Sequence, residues 1–73
     1  MLKIAIIEDH QVLIDALKLM MQSDNEFEFA GGANTLAQGR ELIHFARPDV
    51  LLLDLGLPDG NGLEILPYVM EIS

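Results

Sequence analysis

The chain has 73 residues, twelve acidic against four basic, a formal charge of −8, 51% hydrophobic residues and no cysteine. At about 100–200 residues per domain it is one small domain or part of one; its apolar half excludes a disordered acidic tail, and the missing thiols exclude a disulfide framework or a Cys-ligated zinc. Lys3, Lys18, Arg40 and Arg47 are scattered rather than clustered on a phosphate-binding face, and no apolar run approaches the roughly 20 residues of a membrane span.

Met1-Leu2-Lys3 leads directly into a strand-like segment and an acid pair, without the apolar stretch and cleavage site of a signal peptide. A soluble cytoplasmic chain is expected, with no direct contact to nucleic acid or membrane. An acidic chain of this kind attracts cations and basic partners.

Lys3–Ile7 (KIAII) reads as a first strand, ending at Glu8-Asp9. The period then changes: Leu13, Ala16, Leu17 and Met20 share a helical face, with Asp9 as N-cap and Ser23-Asp24-Asn25 as the stop. Met20, Met21 and Met70 are expected to fill the core or an interface. Phe27–Ala30 reads as a short second strand stopped by Gly31-Gly32. Asn34 or Thr35 caps a second helix running through Ala46, with Leu36, Gly39, Leu42, Ile43 and Ala46 inward and Pro48 closing it.

Val50–Leu53 is a third strand, apolar throughout like the first, as strands buried on both faces are. Asn61 with Glu64 three residues on forms a capping-box-like start to a last helix, and Pro67 inside it predicts a kink or a late start. The order β-α-β-α-β-α implies parallel strands with right-handed crossovers.

Three acids stand at two strand ends: Glu8 and Asp9 after the first, Asp54 after the third. In a parallel α/β sheet, ligands bind outside the carboxyl ends of the strands, where the strand order reverses. If the first and third strands are neighbours, they lie about 4.8 Å apart, and the three carboxylates share one crevice. Like charges that close repel unless a cation sits among them, and Mg²⁺ suits such a set, taking one or two carboxylates and completing its shell with water and phosphate oxygens. Asp54, held at the tip of Leu51-Leu52-Leu53, can act as a nucleophile toward phosphorus. Any one of these acids alone could be only a turn former or a helix cap; it is the convergence of two strand ends that points to chemistry.

The stretch Gly56–Gly62 lacks the third glycine of a dinucleotide fingerprint, since Ile65 occupies that place, and no Gly-Lys-Ser/Thr follows. Its Asp-Gly and Asn-Gly pairs mark tight turns. His10 follows the acid pair and could approach the crevice, but is read first as a solvent-facing residue of the first helical turn; His44 has no second ligand near it in sequence.

Taken together, the apolar strand, Glu8-Asp9, the helix, and then Leu51-Leu52-Leu53-Asp54-Leu55-Gly56-Leu57-Pro58-Asp59-Gly60-Asn61-Gly62 resemble the receiver domain of bacterial two-component response regulators, over all 73 residues in order and spacing. The wording from Asp54 to Leu66 is similar to the subgroup whose receivers precede a helix-turn-helix DNA-binding domain. The resemblance implies that Asp54 accepts a phosphoryl group from a histidine kinase or phosphotransfer protein. It implies that Glu8, Asp9, Asp54 and the carbonyl of Gly56 hold Mg²⁺, and that Pro58 and Gly62 shape the loop. A phosphoacceptor module of this kind is not itself an enzyme.

The implied fold is flavodoxin-like: a doubly wound parallel sheet of order 2-1-3 here, with the family's last two strands missing, so that residues 1–73 form the N-terminal part of a receiver without an output domain. The family's later Ser/Thr and Lys have no counterpart, the last lysine being Lys18. A chain this short buries only about 60% of its unfolded surface, and in order 2-1-3 the apolar Val50–Leu53 becomes an edge open to another strand. The expectation is a homo-oligomer, with a non-phosphorylatable half-domain that self-associates through its third strand as the alternative function.

Overall fold

In a computed structural model, residues 1–72 are described. The elements are β1 (Leu2–Ile7), α1 (Gln11–Gln22), β2 (Phe27–Ala33), α2 (Leu36–Ala46), β3 (Val50–Leu53), β4 (Gly56–Leu57), β5 (Gly60–Asn61), a 3₁₀ turn (Gly62–Ile65) and α3 (Leu66–Ile72). β1 lies between β2 and β3 and runs parallel to both, the expected order 2-1-3. The β4–β5 pair is a separate small antiparallel hairpin.

β1 is buried on both faces. Ile4 and Ile6 point to one side, where they pack with Ile14 and Met21 of α1 and with Leu17, Phe27 and Phe29. Ile7 points to the other, joining Ala33, Leu36, Ile43, Leu57 and Ile65, with Leu51, Leu53, Tyr68 and Val69 against them. The result is three layers, with α1 on one face of the sheet and α2 and α3 on the other. Ile6, Ile7 and Ile65 are the largest fully buried side chains. Each contributes about 1.5–3 kcal/mol relative to exposure, several times what a surface ion pair offers, so the position of β1 is set by this packing.

Several local expectations change. β2 does not stop at Gly31-Gly32 but runs through them to Ala33, with a register shift opposite Ile4 and Ala5. The glycines serve packing on both faces. A Cβ on Gly32 would meet Ile14 Cγ2 at 2.8 Å, and one on Gly31 would meet Leu42 Cδ1 at 2.6 Å. Gly31 also has φ +148°, a backbone open mainly to glycine.

The N-cap of α1 is His10 rather than Asp9, and its side chain makes no capping bond. The inward face of α1 is Ile14, Leu17 and Met21; Leu13, Ala16 and Met20 are exposed. Eight of its twelve residues are apolar, so periodicity does not choose among faces, and the seat of Ile14 on Gly32 does. Of the methionines assigned to core or interface, Met21 is buried, whereas Met20 and Met70 are exposed.

α2 follows its sequence closely. Thr35 Oγ1 accepts from Gln38 N at 3.1 Å as the N-cap. The helix ends at Arg47, in the left-handed conformation, just before Pro48. β3 is not buried on both faces: Leu51 and Leu53 pack inward, while Val50 and Leu52 are 37% and 40% exposed on an edge. Asn61 and Glu64 make the expected capping box, Asn61 Oδ1 accepting from Leu63 N and Glu64 Oε2 accepting from Asn61 N, but it opens the 3₁₀ turn. α3 starts late, at Leu66, so Pro67 falls in its first turn, where a missing N–H costs nothing.

Gly31→Ala is expected to destabilise the fold by roughly 1–3 kcal/mol, because alanine must adopt the positive φ and displace Leu42. Urea unfolding followed by circular dichroism measures it.

Candidate functional site

The strand ends deliver the acids. Glu8 N donates to Ala33 O at 2.9 Å and Asp54 N donates to Ile7 O at 2.9 Å, so both ladders continue one residue beyond the strands. Glu8 and Asp54 therefore leave the sheet side by side. Glu8, Asp9, His10 and Asp54 each offer a ligand atom within 4.8 Å of the others.

Among the described residues Glu8 is the one buried charged side chain, only 8% exposed. Its Oε2 accepts from His10 N at 3.2 Å and faces His10 Nδ1 at 3.2 Å. Asp9 Oδ1 is shielded from solvent and makes no hydrogen bond. His10 Nδ1 stands 3.1 Å from it, a distance that suits an ion pair but without hydrogen-bond geometry. An orphaned carboxylate oxygen beside two further carboxylates fits a cation: the donors are hard oxygens with one imidazole at the rim.

Asp54 Oδ1 accepts from Gly56 N at 3.2 Å. That bond is the main reason the Asp54 carboxyl is held below its ordinary value of 3.8. Asp54 is thus an anion at neutral pH. The His10 imidazole is raised above 6.5, first by its bond to Glu8 and then by the charge of Asp9.

The loop after Asp54 folds as the turn its sequence implies. Leu57-Pro58-Asp59-Gly60 joins β4 to β5, with Pro58 exposed at the corner and Gly60 at φ +148°. Gly62 N donates to Leu55 O at 2.8 Å, and a Cβ on Gly62 would overlap the backbone oxygen of Asp54. Only glycine allows that approach. Gly56 differs, since a Cβ there meets nothing within 4 Å.

The structure thus brings Glu8, Asp9 and Asp54 together, with Gly56 bonded to Asp54. It also brings to the site residues that the sequence does not assign to it. His10 is at the rim of the cluster and not merely solvent-facing, although its ring is 75% exposed. The signal available was its place directly after two acids at a strand end. Asn34 Nδ2 donates to Glu8 O at 3.0 Å. Asp59 accepts from Leu36 N at 2.7 Å and Ala37 N at 3.2 Å. Those bonds, Leu36 first, hold the Asp59 carboxyl below 3.8, with the charge of Arg40 assisting. This contact is complete above that ordinary value and is lost as pH falls through the depressed one.

Fold and site together define a domain of parallel α/β architecture with an acid cluster at the carboxyl ends of two adjacent strands. The family model for the response regulator receiver domain matches residues 4–73, and the chain belongs to that family. Among curated relatives it is similar to the DNA-binding transcriptional activator DevR/DosR of Mycobacterium tuberculosis, 38% identical over 65 residues that cover 89% of this chain and 30% of that protein. Among solved structures it is similar to a LuxR-family DNA-binding response regulator from Staphylococcus aureus, with TM-score 0.85 and 25% identity, covering 99% of this chain and 60% of that one. It is similar also to the MaeR response regulator bound to beryllium trifluoride, with TM-score 0.83 and 25% identity, covering 99% and 59%. The chain spans about a third of the length of the curated relatives it matches. No helix among the described residues is long and apolar enough to cross a membrane.

The His10 pairing gives a direct expectation. The pKa is raised, so the pairing contributes to stability below about pH 6.5 and is lost as pH rises through the raised value. In NMR titration the imidazole midpoint of the wild type lies above 6.5, and in Glu8→Gln it falls back toward that value.

Proposed function

We propose that this chain serves as the N-terminal part of a cytoplasmic receiver, accepting a phosphoryl group on Asp54 from a histidine kinase or phosphotransfer protein. The observation that carries the reading is the convergence of Glu8, Asp9 and Asp54 at two adjacent strand ends, with one solvent-shielded oxygen of Asp9 lacking a hydrogen bond. Glu8, Asp9, Asp54 and the carbonyl of Gly56 would hold Mg²⁺, which supplies charge neutralisation for an incoming phosphoryl group.

The chain's own residues do the rest. Gly56 N–H fixes Asp54 Oδ1 and keeps the carboxyl ionised. The other carboxylate oxygen attacks phosphorus; an O–P bond forms as the N–P bond of a phosphohistidine breaks, and the leaving imidazole takes up a proton from solvent. Asn34 holds the backbone of Glu8, and Gly62 lets the loop close over Asp54. The similarity to a DNA-binding activator and to a beryllofluoride-bound regulator supports a phosphorylation-controlled transcriptional regulator as the whole protein.

Incubation with Mg²⁺ and acetyl phosphate is expected to add one phosphoryl group, detected by intact mass. Asp54→Ala abolishes the gain, and omission of Mg²⁺ suppresses it. A folded wild-type chain that gains no mass overturns the reading for this polypeptide.

A second reading rests on β3. Val50 and Leu52 lie exposed on a strand that, among the described residues, is paired on one side only. Such an edge recruits another strand, and a second copy would pair with it antiparallel about a two-fold axis. Sedimentation is expected to show a dimer or larger species that Leu52→Lys shifts to monomer. A wild type that sediments as a monomer rejects this reading.

A further inference from the structure

The β4–β5 hairpin is tied to α2 by a bond that bridges 23 residues of sequence. The start of a helix leaves its first N–H groups without intrahelical partners. In α2, Thr35 Oγ1 takes the N–H of Gln38, while the carboxylate of Asp59 takes those of Leu36 and Ala37. Asp59 sits at the turn of the hairpin whose other strand begins at Gly56, the donor to Asp54 Oδ1.

The β1 side of the site is tied to the same place. Asn34 Nδ2 donates to Glu8 O at 3.0 Å and to Gln11 Oε1 at 3.2 Å, and Asn34 N donates to Gln38 Oε1 at 3.0 Å. The first turn of α2 is therefore bonded directly to the hairpin and, through Asn34, to the loop that carries Glu8 and Asp9.

We infer that Asp59 is a positioning residue for the acid cluster, its bonds to the first turn of α2 fixing the β4–β5 hairpin, and through Gly56 the Asp54 carboxylate, relative to Glu8. The inference deepens the ion-site reading above. The rival role is a plain helix cap, and the two differ in what loosens. Loss of a cap frees the helix start, as Thr35→Ala should, whereas loss of a positioning contact frees the hairpin.

The test uses amide hydrogen exchange by NMR on the full chain without added ion, in wild type, Asp59→Ala, Asp59→Asn and Thr35→Ala. Protection at Ile6 and Ile7 of β1 reports that each variant is folded. Asp59→Ala is expected to speed exchange at Gly56 and Gly62 by roughly fivefold or more, the scale that loss of a capping side chain carries. Thr35→Ala speeds exchange at Gln38 and Gly39 and leaves the hairpin as in wild type. Asp59→Asn keeps an acceptor for Leu36 N and gives intermediate rates, so it carries the comparison if Asp59→Ala does not fold. Hairpin rates unchanged in the folded Asp59 variants, or equally raised by Thr35→Ala, overturn the inference.

Titrating Mg²⁺ in the same spectra reads the consequence at Gly56. Asp59→Ala weakens Mg²⁺ binding several-fold and Thr35→Ala does not; unchanged affinity with a freed hairpin overturns the positioning role. If the wild type takes no Mg²⁺, the ion-site reading fails, while the exchange rates still decide whether Asp59 holds the loop.

Discussion

The parallel pairing of β1 with both of its neighbours is the constraint from which the rest follows. Six residues of β1 pair with β2 and four with β3, and each ladder gains one more bond beyond the strand end, from Glu8 and from Asp54. Those added bonds set the acids side by side. Carboxylates so placed repel one another, and nothing in their own chemistry would bring them together. They are held by what lies behind them: Ile6 and Ile7 are buried on opposite faces of the same strand, and that packing is not available to an arrangement that separates the acids. The core thus confines negative charge that a cation can then relieve.

The segment from Asp54 to Ile65 converts that confinement into a shaped loop. Its glycines act by different means. Gly62 permits contact with the Asp54 backbone, while Gly60 adopts a positive φ where a side chain would meet Leu36 Cδ1 at 2.8 Å. The Asn61–Glu64 capping box closes the loop from below, and Leu57 and Ile65 anchor it in the core beneath α2. A loop with this many fixed points loses little conformational freedom when an ion or a phosphoryl group arrives, which favours binding.

Much of this was legible in the sequence because the signals were local. Apolar runs ending in acids mark β1 and β3, Asn34 or Thr35 and Pro48 bracket α2, and the Asn61–Glu64 spacing marks a helical start, which takes the form of a 3₁₀ turn. The acid cluster follows once β1 and β3 are neighbours, the order that the family resemblance implies. The misjudged features depend on what lies across the fold. The Gly31-Gly32 pair reads as a strand end until Ile14 and Leu42 are seen to need its missing side chains. The inward face of α1 is hidden by a helix that is apolar on most sides. The Asn34–Glu8 and Asp59–Leu36 bonds join residues 26 and 23 positions apart, and no short motif announces them.

β3 carries a tension that bears on both functional readings. The apolar sequence that seats Leu51 and Leu53 in the core also leaves Val50 and Leu52 on a free edge. Asp54 is held by a single ladder, whereas Glu8 extends a strand paired on both sides. Asp54 is therefore attached to the less constrained of the two strands. A strand added to the outer edge of β3 would hold Leu53 and Asp54 from the second side and reduce their freedom relative to Glu8. Pairing at that edge would thus favour the geometry that sets Asp54 beside Glu8, and a cation held among the acids would in turn favour a fixed β3.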